Sequence, residues 1–161
     1  MGYGNHSSGR EQMRYRKPQQ DWEIRRLALI ANPLAHSTTL YRRASALQVG
    51  GYDESLAGFQ DWDLWLKLGK VGKLYNFPEY LLNYRVWQGS GSFQKSKGNT
   101  ASALRITRRH RHDYGGFVIG YPMAMLYHAY AHMPKGMQRV SYSTLSRMKK
   151  ALFSYRPVTS V

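Results

Sequence analysis

Two carboxylates, Asp61 and Asp63, stand at the head of the run Gln60-Asp61-Trp62-Asp63-Leu64-Trp65-Leu66-Lys67-Leu68, just after a turn at Gly50-Gly51-Tyr52-Asp53-Glu54. A carboxylate where a loop enters a helix can do two things. It can cap the helix by accepting a backbone N–H of the first turn. Held rigidly at a cleft, it can instead take a proton from a hydroxyl that attacks an electrophile. Both readings of Asp61 stand on the residues alone. Asp63, two positions on, points to another face, where solvation or an arginine partner is expected.

The histidines offer less. His36 lies between a proline turn and a β-rich stretch, in a place that suits either a structural hydrogen bond or a substrate contact. His110 and His112 sit within Arg108-Arg109-His110-Arg111-His112, where three cations repel a metal and a solvated basic run is expected. His128 and His132 have the i,i+4 spacing of a zinc helix, but no glutamate follows His128 and no third ligand is evident. Gly2-Tyr3-Gly4 with Gly9 is too little for a phosphate loop, since no strand pattern precedes it.

The elements that must hold these residues can be read in outline. Residues 1–20 are polar and without periodicity, which predicts a flexible lead-in and no signal peptide. Asp21 is a candidate N-cap for a helix carrying Ile24, Leu27, Ala28 and Ala31, broken at Asn32-Pro33. Residues 37–41 and 73–77 are β-rich and predict short strands, and residues 43–49 predict a brief helix closed by Gly50-Gly51. A helix is expected over residues 61–70, with Asp61, Leu64, Trp65 and Leu68 on one face. Residues 101–113 read as a basic helix. Residues 115–133 are apolar but interrupted by Gly120, Pro122, His128 and His132, which argues against a bilayer span. Residues 140–153 place Leu145, Met148 and Leu152 opposite Arg147, Lys149 and Lys150; such a stripe packs on a domain or lies in a membrane interface.

The chain has 161 residues, enough for one domain with a core, and no cysteine, so disulfides and thiolate metal sites are excluded. With 24 Lys and Arg against nine Asp and Glu, the formal charge of +15 calls for an anionic partner. The charge is uneven. From Ala101 onward the only acid is Asp113, so the candidate site precedes a basic tail.

Asn32-Pro33-Leu34-Ala35-His36-Ser37-Thr38, Tyr41-Arg42-Arg43, Val49-Gly50-Gly51-Tyr52-Asp53-Glu54, Gln60-Asp61-Trp62-Asp63-Leu64-Trp65-Leu66, Asn76-Phe77-Pro78-Glu79 and Leu81-Leu82-Asn83-Tyr84-Arg85 come in an order that resembles glycosyltransferase family 2. The resemblance covers roughly residues 21–92. It implies an α/β fold, a partial GT-A domain over residues 21–100 followed by a mostly helical tail over residues 101–161. It also implies inverting transfer of a sugar from a nucleotide-sugar donor to a saccharide or lipid-linked acceptor. Asp61 matches the aspartate that deprotonates the acceptor. Trp62, Asp63 and the helix that bears them would seat it, while Asn32 and His36 match a segment near the cleft. Arg85 would lie near the donor diphosphate.

Three departures shape the expectation. Gln60 replaces a glutamate beside the base, and Trp87 stands where relatives place a histidine, suiting packing or sugar stacking. No Asp-x-Asp motif precedes Asp21, so Mg²⁺ or Mn²⁺ and most donor contacts are expected from a half absent here, on a second chain or lost. A cytoplasmic site, peripheral at an anionic membrane, follows from the resemblance and the basic tail. Two other classes fit the composition: an inactive scaffold relative, and a basic module for nucleic acid or anionic membrane. No nucleic-acid motif favours the latter.

Overall fold

The computed structural model describes residues 16–82 and 96–134. Its helices are α1 (Asp21–Leu27), α2 (Arg43–Gln48), α3 (Gln60–Val71), α4 (Ser96–Arg109) and α5 (Phe117–His132), with a 3₁₀ turn at His36–Thr38. There is no strand among the described residues. The expected α/β architecture, a partial GT-A domain, is therefore overturned: what is described is helical.

The reason is visible at both predicted strands. Residues 37–41 carry β-rich side chains, but β-propensity reflects packing on a neighbouring strand, and the described residues supply none. His36–Thr38 closes instead into a 3₁₀ turn, with Thr38 N–H and Thr39 N–H bonding Ala35 and His36 carbonyls. Residues 73–77 are held by side chains and by one backbone bond, Asn76 N to Gln19 O (3.1 Å), rather than by a ladder. Leu74 N donates to Asp21 Oδ1 (2.8 Å), and Asn76 Nδ2 donates to the carbonyls of Pro18 and Pro33.

Local chemistry explains the helix ends. Glu23 Oε2 accepts the N–H groups of Gln19 and Gln20 at the start of α1, so Gln20 and not Asp21 holds the cap position. α2 ends in Gly50 and Gly51, whose φ values of +79° and +63° belong to glycine. α3 follows Phe59, a left-handed residue at φ 58°. Asp61 is consequently the second helical residue and not the cap.

Two apolar clusters meet on α3. Trp62 and Leu66 join Ala28, Leu29, Leu56, Ile106 and Tyr114 on one side. Leu64, Trp65 and Leu68 join Ile24, Leu34 and Leu74 on the other. Trp62 Nε1 donates to Ala28 O (2.9 Å) and Tyr114 Oη to Leu66 O (2.7 Å), so the buried polar atoms of both rings are satisfied. α5 packs against α4 and crosses the chain after α1 closely: a Cβ on Gly120 would lie 2.0 Å from Leu29 O.

Candidate functional site

Asp61 is half-buried in the first turn of α3. Asn32 Nδ2 donates to its Oδ2 at 2.8 Å, while Asn32 Oδ1 accepts the N–H of Leu34, so the loop after α1 fixes the amide that fixes the carboxylate. Asp61 Oδ1 takes no hydrogen bond from the described residues. At the first turn of a helix the dipole favours negative charge there.

The surroundings of Asp61 are ionisable. Lys17 donates to the Asn32 carbonyl; burial pulls its ammonium down to about 8, opposed by attraction to Asp61. Burial first, then the hydrogen bond with Tyr41 and the nearby Asp61 charge, pushes the Tyr52 hydroxyl up to about 12. Tyr52 Oη lies 3.0 Å from His36 Nε2, and the His36 ring stands edge-on to Trp65 at 5.8 Å. Tyr41 packs on the same indole at 5.6 Å. A shallow cavity of about 350 Å³ opens beside this group, lined by Tyr41, Arg43, Leu47, Gly51 and Tyr52 among others.

The structure thus links Asn32 directly to Asp61, and His36 to Tyr52 beside it. It adds Lys17, Tyr41 and Tyr52, to which the sequence reading gave no role. Tyr52 lies within a motif quoted above, so its place in the pattern was the available signal. Lys17 lies in a polar stretch with no pattern, and nothing in the sequence singles it out. Gln60 turns away, its Nε2 donating to Leu56 O (2.8 Å). Trp62 is buried and held by Ala28. Arg85 and Trp87 lie outside the described residues.

Asp63 belongs to a different centre. It is fully buried; its Oδ1 accepts from Arg109 Nη1 (2.9 Å) and from His110 Nε2 (3.0 Å), and Lys67 Nζ sits 3.1 Å from Oδ2. Burial works against the charge, but His110, Lys67 and Arg109 together hold the carboxyl down to about 2. An ionised carboxylate only accepts, so His110 carries its proton on Nε2. Arg109 also reaches Asp53 (2.8 Å), whose carboxyl Ser55 and Arg109 hold well below the usual range. The expected arginine partner is present, and solvation is not. His110, read from the sequence as part of a solvated run, is buried because it answers Asp63.

A divalent ion is poorly suited by these groups. Among the described residues no three His, Asp or Glu side chains converge to hold one. Beside Asp61 the neighbouring charge is the Lys17 ammonium, which competes with a cation for the carboxylate. The Mg²⁺ or Mn²⁺ that the family resemblance implies is expected mostly on residues of the absent half, and the residues around Asp61 supply no site for it. Among the described residues no helix is long and apolar enough to cross a membrane.

No family model, no curated protein and no solved structure matches this chain.

Proposed function

We propose that Asp61 is the general base of a sugar-transfer reaction and that the described residues form its acceptor side. One observation carries the reading: one carboxylate oxygen is anchored by Asn32 while the other is open, on a half-buried carboxylate at a helix start. That arrangement is what a base needs, since an anchored carboxylate presents its free oxygen in a fixed direction. The order of the motifs around Asp61 supplies the reaction class.

In the proposed step the acceptor hydroxyl donates its proton to Asp61 Oδ1 as its oxygen bonds to the anomeric carbon. The bond to the nucleoside diphosphate breaks with its electron pair, the diphosphate leaves, and the sugar's configuration inverts. Lys17 offsets charge beside Asp61, and Tyr41, Tyr52 and His36 offer a ring-lined wall with hydroxyl and imidazole hydrogen bonds for a saccharide. The nucleotide-sugar and its metal are assigned to residues beyond the described ones or to a second chain. The same reading puts the protein in the cytoplasm at a membrane surface, where lipid-linked acceptors are held.

The test is Asp61→Asn in the assembled enzyme, assayed for transfer from uridine, guanosine and thymidine diphosphate sugars with Mn²⁺. Asparagine can still accept from Asn32, so folding is retained and circular dichroism should be unchanged. Turnover should fall about 10²- to 10⁴-fold, the usual contribution of general base catalysis. Full activity in the variant would overturn the assignment.

A further inference from the structure

α5 is sixteen residues long without a single charged residue, and one stripe of it faces solvent. Val118, Pro122, Met125 and Ala129 follow one another at helical spacing, flanked by Ile119 and Leu126, and all six are exposed, Val118 to 85%. The opposite stripe, Gly120, Ala124 and Ala131, is buried. A soluble monomer seldom leaves such a run of large apolar side chains in water.

α4 lies along the flank of α5, where Thr100 Oγ1 meets His128 Nδ1 at 3.1 Å. Its outer face presents Lys97, Arg105 and Arg108, again at helical spacing, and Arg111 continues the row. Arg105 reaches only the Ser55 hydroxyl, and Arg111 only the Arg108 carbonyl, so these cations have no carboxylate partner among the described residues. Neither α4 nor α5 contains an aspartate or glutamate. The one acid in the connecting turn, Asp113, pairs with Lys70 (2.6 Å).

We infer that the α4–α5 face binds the surface of an anionic bilayer, with the α5 stripe entering the headgroup boundary and the α4 cations meeting lipid phosphates. Charge selects this occupant: cations without a carboxylate partner among the described residues, on the helix packed against the one that bears the apolar stripe, match an interface that is anionic outside and hydrocarbon within. A nucleic acid would use the cations and leave Val118, Met125 and Leu126 without a function. At about 1.5 Å per residue α5 is about 24 Å long, short of the roughly 30 Å hydrocarbon core, so it lies in the surface rather than across it. The inference rests on the membrane location proposed above and not on the chemistry of Asp61.

Co-sedimentation of the full chain with phosphatidylcholine vesicles, with and without phosphatidylglycerol, tests it. Binding should require phosphatidylglycerol and weaken as salt rises. Ile119→Glu with Met125→Glu changes only exposed positions and should lower binding at least tenfold with an unchanged circular dichroism spectrum. Arg105→Gln and Arg108→Gln should each lower it about fivefold. Asp61→Asn should bind vesicles as the unaltered protein does, so loss of transfer and loss of membrane binding are separable. The inference is overturned if neutral vesicles bind equally well, or if the Ile119/Met125 variant binds normally. It is also overturned if the chain binds duplex DNA and ignores both kinds of vesicle.

Discussion

Asp63 shows how much a buried charge depends on its partners. Alone in the interior it would be prohibitively costly; with Arg109, His110 and Lys67 around it, its carboxyl stays ionised down to about pH 2. The folded value lies below the ordinary 3.8, so the native state holds this proton less tightly than the unfolded chain. The stabilisation is therefore fully present above about pH 4 and is lost as the pH falls through 2, and it amounts to about 2 kcal/mol. Asp63→Asn should remove that part of the acid dependence and, by leaving Arg109 without its buried partner, should cost about 3 kcal/mol near neutrality. Urea midpoints at a series of pH values read both effects. A variant as stable as the parent at pH 7, with the same acid slope, would show that the pairs around Asp63 contribute nothing net.

At the scale of elements the close crossing of α5 over the segment after α1 sets the tolerance of the fold. Glycine within a helix ordinarily costs about 1 kcal/mol relative to alanine, so Gly120→Ala should stabilise by that amount on propensity alone. The added methyl would, however, lie 2.0 Å from the Leu29 carbonyl oxygen, a backbone atom that cannot step aside alone. Overpacking of this kind costs about 1–3 kcal/mol or more, so the steric effect wins and the variant should unfold at lower urea. An unchanged or higher midpoint would mean that α5 can lift from Leu29 without loss. What was legible in the sequence follows the same division. α3 could be read because its apolar residues repeat at helical spacing and its acids lead, and α2 because two glycines close it. The strands at residues 37–41 and 73–77 were misread because local β-propensity says nothing about a partner. Asp21 and Asn76, which tie residues 73–77 down, act across 53 and as many as 58 positions, a separation that no local pattern reveals. The site was half legible. Asn32, His36 and Asp61 share one region, whereas Lys17 enters it only through the fold.

Over the whole molecule the charge of +15 acts in two opposed directions, and salt separates them. Like charges on Lys97, Arg105, Arg108 and Arg111 repel one another in the compact state, which raises its free energy relative to an expanded chain. The ion pairs of Asp63 and Asp53 with Arg109 act inward and are partly shielded from solvent. At about 0.1 M salt the screening length is about 10 Å, and at 1 M it is about 3 Å, so salt weakens the surface repulsion far more than the buried attraction. Stability measured by urea midpoint should therefore rise with sodium chloride over this range. Vesicle binding, which depends on the same exposed cations, should fall over the same range. Opposite salt responses of one surface are the signature of cations held unpaired at a cost in stability and used to bind an anion. A midpoint that falls with salt would instead mean that the attractive pairs outweigh the repulsion, and that the exposed basic residues are more fully neutralised within the fold than their surroundings indicate.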